Sequence, residues 1–318
     1  MLSLSVVQNA LEVGFIYALV ALALFVSYSI LDIADLTTDG SFTLGCAVSA
    51  TVCIAGHPLL ALPAAMLAGA LAGFITAFLQ TRLGVPSILA GIVTNTGLYT
   101  INLAVMGFSS NLALFNTDTL FSSAREALFP VFGSWYKLVI AAAITLLVSA
   151  LIVLFLGTRL GISIRATGDN ADMVRASSIN TTTMITIGLC IANAMTSLSG
   201  AVLAQYNKSA DINLGTGMVV IGLASLIIGQ TLVGKGSMWR CVLAVLVGSV
   251  LYRFIIAVAL KLNVPAECLK LVSAVIVGFA IALPSLKGWA AFQKKRLAAV
   301  HGKEEKRDAG ADQYFQNL

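Results

Sequence analysis

Ionisable side chains are scarce in this chain, so each one beside an apolar stretch is informative. The densest polar cluster runs Leu31-Asp-Ile-Ala-Asp35-Leu-Thr-Thr-Asp39-Gly40-Ser41. Carboxyl groups next to a membrane span are costly unless they face water or protein groups. Asp39-Gly40-Ser41 can turn the chain and cap a following helix, because Asp and Ser accept from free backbone N–H groups. The same residues suit the wall of a solute path, and both readings stay open. Asn95, Asn102, Asn193 and Ser197, with Thr94 and Ser199, are polar groups inside apolar runs. Each either lines a cavity or bonds a neighbouring helix. Asp39, Asn95, Asn102, Asn193 and Ser197 are therefore the candidate path residues.

A second cluster lies between two apolar runs, from Arg159 through Arg165-Ala-Thr-Gly168-Asp169-Asn170-Ala-Asp-Met173-Val174-Arg175 to Asn180. Gly168 is expected to break the chain there. Asp169 or Asn170 then caps a short helix carrying Met173, Val174 and Ala176. So short a helix is marginal alone and needs a partner to pack on. A groove on a cytoplasmic partner suits it, with a helix lying on the bilayer as the alternative.

Other chemistry finds little support. Gly229-Gln-Thr-Leu-Val-Gly234-Lys235-Gly236 matches GxxxxGK, but lacks the Ser/Thr that holds magnesium and ends an apolar run instead of following a strand. No ATP site of its own is expected. The five cysteines, Cys46, Cys53, Cys190, Cys241 and Cys268, show no CxxC spacing, and His57 and His301 have no neighbouring ligand set. No metal and no cofactor is expected. Glu12, Arg253, Glu267 and Lys270 lie in or near spans and call for pairing; Glu267 and Lys270 are placed to pair at i, i+3. Arg253 has no local partner in the sequence.

These residues must be positioned by a membrane bundle. The 318 residues are 58% hydrophobic and only 10% charged, with mean hydropathy +0.95. Soluble domains run near 45–50% apolar and about 25% charged, so a soluble enzyme, a disulfide scaffold and a disordered chain are excluded. The apolar runs are continuous, which favours an all-α polytopic bundle over a barrel. Nine spans are expected: Val6–Leu31, Ser41–Ala55, Leu59–Gln80, Ser87–Met106, Leu138–Leu156, Thr183–Gln205, Met218–Val233, Val242–Leu260 and Leu269–Leu283. The second and seventh are short and sit beside Gly- and Asp-rich sequence, so they are expected to be broken or re-entrant. A cleaved leader is not expected, because the first apolar run is too long and lacks a basic start.

The net charge of +5 comes without Lys or Arg before Arg82, and with Lys287, Lys294, Lys295, Arg296, Lys303, Lys306 and Arg307 near the end. That distribution points to a membrane-adjacent end and not to nucleic acid, with a solvated tail and a contact to membrane lipid both open. It puts Arg82, the Arg159–Arg175 segment, Lys235/Arg240 and the tail in the cytoplasm, and the N-terminus outside. The transmembrane domain then covers 1–286, with a cytoplasmic loop at 157–180 and a basic tail, expected to be disordered, at 287–318. Gly107–Tyr136 is the longest external loop. Ala61, Ala65, Gly69, Gly73 and Ala77 recur every fourth residue, a stripe expected to pack within the chain more than between chains.

Taken together, Asp35-Leu-Thr-Thr-Asp-Gly-Ser-Phe-Thr-Leu-Gly45, Ile88-Leu-Ala-Gly-Ile-Val-Thr-Asn-Thr-Gly-Leu-Tyr99-Thr-Ile-Asn102-Leu, Arg165-Ala-Thr-Gly-Asp-Asn170 and Ile221-Gly-Leu-Ala-Ser-Leu-Ile-Ile-Gly229 resemble the permease subunits of bacterial ABC importers. The wider family is that of the branched-chain amino acid and ribose permeases. The nearest likeness is to the subgroup found with tryptophan/tyrosine-type substrate-binding proteins. The resemblance covers nearly the whole chain apart from the tail. It implies a permease homodimer in the bacterial inner membrane, two cytoplasmic ATP-binding subunits and an extracytoplasmic substrate-binding protein. The cargo it implies is a small solute such as an amino acid, aromatic ones included. It also implies a coupling helix on Gly168–Ile179, with Arg165, Gly168, Asp169, Asn170, Met173, Val174 and Arg175 at the ATPase contact. Gln230 departs from the acidic residue expected there. The rival readings are a secondary carrier working alone, which would depend on Asp39 or Glu12, and a membrane enzyme, for which no converging nucleophile, base or ligand set is present.

Overall fold

The computed structural model describes residues 4–261, apart from 116 and 235, and the single positions 271, 274, 275, 278 and 282. The Glu267–Lys270 pair, Lys235, most of the ninth expected span and the basic tail lie outside the described residues. The helices are α1 (Leu4–Leu24), α2 (Thr38–Ile54), α3 (Ala61–Thr81), α4 (Ser87–Val105), α5 (Leu120–Phe132), α6 (Tyr136–Leu156), α7 (Arg159–Asp169), α8 (Ala171–Ala176), α9 (Thr181–Asn207), α10 (Met218–Val233) and α11 (Met238–Lys261). Two short strands, β1 (Asn111–Ala113) and β2 (Ser209–Asp211), pair antiparallel with Asn111 opposite Asp211. The protein is an all-α, multi-pass membrane protein.

Eight of the nine expected spans fall on described helices. Six helical segments are long and apolar enough to cross a bilayer. The remaining two, α2 with 17 residues and α10 with 16, fall short of the roughly 20 needed for a straight crossing. The loop expected to be external, Gly107–Tyr136, contains more structure than expected. It carries β1 and the helix α5, whose start is closed by Thr119 and Ser122 bonding each other's backbone N–H groups.

Helix α9 is the central post. Helices α1, α2 and α3 pack on it, and most of its residues from Ala192 to Gln205 are buried. Glycines set the closeness of these contacts. A Cβ at Gly45 of α2 would overlap the Ser197 carbonyl oxygen, one at Gly200 would overlap the Phe42 carbonyl oxygen, and one at Gly69 would overlap Ser197 Oγ. Gly73 likewise rests on the Leu189 backbone. The small-residue stripe of α3 is thus an intrachain seam against α9, as expected. Gly229, the first residue of the false GxxxxGK match, lies inside α10 with its Cα against the Ala244 carbonyl of α11.

Helix α1 ends in a π-helical turn, Phe25–Ile30, in which Leu31 N donates to the Val26 carbonyl at 3.1 Å. Asp32 follows with φ +55°, a left-handed conformation that Asp tolerates better than most residues. Residues 31–37 then run without regular structure to the start of α2.

Gly45→Ala is expected to destabilise the chain by about 1–3 kcal/mol, because the methyl group meets backbone that cannot move aside. Gly97→Ala, at a helical position with nothing within 4 Å, is expected to stay within about 0.5 kcal/mol. Unfolding midpoints in lipid nanodiscs check both, and equal shifts would refute the tight α2–α9 contact.

Candidate functional site

The five candidate path residues separate into two groups. Asn193 and Ser197, both on α9, are consumed by helix–helix bonds. Asn193 Nδ2 donates to Asp35 Oδ2 at 2.7 Å and to the Leu189 carbonyl at 3.0 Å, while its Oδ1 accepts from Ser41 Oγ at 2.7 Å. Ser197 Oγ donates to the Ser41 carbonyl at 2.6 Å. Asp35 is completed by Thr37 N at 2.8 Å, and Thr37 Oγ1 meets Thr76 Oγ1 of α3 at 2.7 Å. Further along the same seam, Cys46 Sγ reaches the Gly200 carbonyl, Ser49 Oγ the Ala201 carbonyl, and Gln205 Nε2 reaches Ser49 Oγ. Ser199 Oγ ties α9 to the Ile16 carbonyl of α1. All of these side chains are buried.

Asp39, Asn95 and Asn102 instead converge on a cavity of about 240 Å³ with Gly40, Thr43, Thr96, Tyr99, Asn213 and Thr216 in its wall. Helices α2 and α4 line it together with residues 212–216, the segment that leads into α10. Helix α10 starts at Gly217, whose φ of +88° suits glycine and which supplies no side chain to cap the helix. Asp39 from α2 provides that cap across 178 residues of sequence. Its Oδ2 accepts from Gly217 N and its Oδ1 from Val219 N, both at 2.9 Å. A carboxylate there also complements the positive end of the helix dipole. Gly215 lies on the Asp39 carbonyl oxygen, and its N–H donates to Thr43 Oγ1 at 3.1 Å.

Helix α4 supplies the opposite wall. A Cβ at Gly40 would lie 2.5 Å from Asn95 Oδ1 and 3.0 Å from Leu98, so the two helices touch there. Asn102 Nδ2 donates to the Gly40 carbonyl at 3.1 Å. Thr96, Gly97, Tyr99 and Thr100 of α4 are exposed, and only 28% of its apolar window is buried. Thr43, Thr96, Tyr99, Asn213 and Thr216 carry no distinguishing signal in the sequence, because neutral polar residues recur throughout the chain.

The second cluster differs locally from expectation. Gly168 does not break the chain but lies in the last turn of α7, where an added Cβ would overlap the Ile30 carbonyl oxygen. Asn170, not Asp169, caps α8: its Oδ1 accepts from Met173 N at 3.0 Å. Val174 is buried, whereas Met173 is 60% exposed. Arg165, Asp169 and Arg175 are exposed as well, and Arg175 Nε donates to Thr181 Oγ1 at 3.1 Å. Arg82 lies at the same end of the bundle, lining a cleft between the end of α3 and Thr182, Thr183 and Thr186 of α9. Gln230 reaches Ser29 Oγ at 3.3 Å.

Glu12 and Arg253 find partners that the sequence does not display. Glu12 accepts from Gln8 Nε2 at 2.8 Å and from the Tyr206 hydroxyl at 2.6 Å. The Arg253 guanidinium stands 3.9 Å over the Tyr17 ring, a cation–π contact.

Residues 6–282 match the family model described as branched-chain amino acid transport system / permease component. The tyrosine transport system permease protein of Clostridioides difficile (strain R20291) is 34% identical over 275 residues, covering 86% of this chain and 90% of the relative. An uncharacterized protein of Rickettsia prowazekii (strain Madrid E) is 30% identical, covering 89% of this chain and 99% of its own length. The autoinducer 2 import system permease protein LsrC of Yersinia enterocolitica serotype O:8 / biotype 1B (strain NCTC 13174 / 8081) is 28% identical over 71% of this chain and 61% of its own length.

Asn193→Ala is expected to cost about 2–3 kcal/mol of stability, since it removes three buried bonds, one of them to Asp35, at about 0.6 kcal/mol or more each. Ser197→Ala removes one bond and is expected to cost about 0.6 kcal/mol. Thermal unfolding in nanodiscs distinguishes them; a Ser197 cost equal to that of Asn193 would contradict the assignment of Asn193 as the seam's anchor.

Proposed function

The chain belongs to the branched-chain amino acid transport system / permease component family, and from that premise we propose that it forms the membrane path of an ATP-driven ABC importer for a small amino-acid-like solute. The observation that carries this reading is the polar cavity between α2, α4 and the segment 212–216 ahead of α10, beside the exposed Thr96, Tyr99 and Thr100 of α4. Lipid offers no hydrogen-bond partner to the Asn95 amide or the Tyr99 hydroxyl at membrane depth. A second copy of the permease covers that face in this reading, so that two cavities join into one path. The tyrosine permease relative supports an amino acid, aromatic ones included, as the cargo.

The end of the bundle carrying Arg82, Arg159, Arg165, Arg175 and Arg240 is the cytoplasmic one by the positive-inside rule. Partner subunits there bind and hydrolyse ATP, and a binding protein delivers cargo at the opposite face of the bacterial inner membrane. Helices α7 and α8 are the coupling element. Met173 projects toward the ATPase, Val174 holds α8 to the permease, and Asn170 fixes the start of α8. Because Gly168 has no side chain to deform, a displacement of α7 bears directly on Ile30 and on the segment leading to Asp35 and Asp39. Arg165, Asp169 and Arg175 supply the exposed charges of the contact. Against a stand-alone carrier stands the engagement of Glu12 and Asp39 by donors of this chain.

The chain is expected to co-purify with its cytoplasmic ATPases and to show hydrolysis stimulated by the binding protein in nanodiscs. Met173→Glu is expected to lower that stimulated rate about tenfold or more, equivalent to about 1.4 kcal/mol of lost docking, with an unchanged unfolding midpoint. Unaltered stimulation with the assembly intact would sink the coupling assignment. Solute flux in liposomes with no ATPase bound would favour the carrier.

A further inference from the structure

The cavity between α2, α4 and the segment 212–216 has charge of one sign only. Among its lining residues there is one carboxylate, Asp39, and no Lys, Arg or His. Asp39 is partly exposed, and its carboxylate, met by the backbone N–H groups of Gly217, Met218 and Val219, retains lone-pair capacity on a group with about four acceptor sites. Asn102 is 1% exposed, and its Oδ1 has no hydrogen-bond partner. The orientation of that amide is dictated by its neighbour. The Gly40 carbonyl can only accept, so the amide nitrogen must face it, and the amide oxygen is left as the unpaired end. A buried acceptor without a donor is unfavourable, a cost recovered when a ligand supplies the donor.

Tyr99 of α4 adds an aromatic ring to the same wall and is 54% exposed. Its ring face attracts a cation, as the carboxylate does. The cavity therefore presents acceptors, one negative charge and a π face. A solute bearing a protonated amine satisfies them, whereas a carboxylate without an amine meets no cationic side chain. At about 240 Å³ the cavity is below the 300–1,000 Å³ typical of drug-sized ligands, in keeping with a small solute or one end of it.

We infer that this cavity is an ammonium-reading subsite of the permease path, in which Asn102 Oδ1 and the Asp39 carboxylate accept from the protonated amine of the passing solute beside the Tyr99 ring. The inference rests on the reading of the cavity as part of the solute path, and it assigns selectivity for the amine end of the cargo to the permease itself. Asn102 is the specificity-determining residue. Asp39 contributes its charge but is also the cap of α10, so its removal would perturb the fold.

The full chain in lipid nanodiscs, without ATPase or binding protein, is the test material. Saturation-transfer NMR is run with phenethylamine, L-phenylalanine and phenylpropionate, which share a ring and differ in amine and carboxylate. Phenethylamine and L-phenylalanine are expected to bind, and phenylpropionate to bind at least about tenfold more weakly, as loss of a charge-assisted hydrogen bond implies. Asn102→Leu is expected to weaken both amines by a similar factor. Leu147→Ala, on the exposed face of α6 and outside the cavity lining, is the control and is expected to leave amine binding unchanged. Equal binding of all three probes, no binding of phenethylamine, or unchanged amine binding in a folded Asn102→Leu variant would overturn the inference. None of these readouts involves ATP, so failure of the importer reading, seen as absence of coupled hydrolysis, is separately recognisable.

Discussion

The Asn193 carboxamide is the constraint on which the arrangement around the cavity depends. It is held at both ends, donating to Asp35 and accepting from Ser41, while its second N–H returns to its own helix at Leu189. In a membrane interior such bonds cannot be exchanged for water, so they fix register more than they add net stability. By holding Asp35 and Ser41 together, Asn193 sets the exit of the 31–37 segment and the start of α2. That start places Asp39, and Asp39 in turn decides where α10 begins. One amide on α9 thus determines the meeting point of two helices that are remote in sequence.

The two short helices make a cavity possible without exposing backbone to lipid. A helix beginning at membrane depth leaves N–H groups that need acceptors. For α10 these are met by Asp39, and the segment before it is laid on α2 through Gly215 and Thr43. Glycine is required where these backbones touch. Gly40 admits Asn95, Gly215 admits the Asp39 carbonyl, and Gly45 admits Ser197, so the polar groups are brought within reach by the absence of side chains between them.

Much of this was legible in the sequence, and what was not has a physical reason. Apolar runs of about 20 residues mark spans because a bilayer demands that length. The same rule made α2 and α10 conspicuous as short. Asn193 and Asn102 could not be told apart by type or by apolar surroundings. Their difference lies in partners 152 and 62 residues away, Ser41 and Gly40, which no local pattern encodes. The Asp39–α10 cap was hidden for the same reason, although Asp39 as a capping residue was legible. Gly168 read as a breaker because glycine weakens helices. In the fold its lack of a side chain serves a contact with Ile30, which overrides that preference.

The segment from Phe25 to Asp39 runs between the contacts with α7 and the wall of the cavity. Its first part is a π-helical turn, a form found mostly as single turns and often at functional sites. Asp32 then holds a left-handed conformation, and the backbone has no repeating hydrogen-bond ladder until α2. Such a segment is softer than the helices on either side of it. Yet its contacts are hard: Gly168 of α7 on the Ile30 carbonyl, Gly188 of α9 under Leu31, Gly91 of α4 against Leu36, and Asn193 on Asp35. Soft backbone between close-packed contacts can be displaced only as a unit, because each glycine contact leaves no side chain to absorb the motion. In the proposed coupling role, a displacement of α7 would reach Asp35 and Asp39 through the chain itself, and the α10 cap and the wall of the cavity would shift with them.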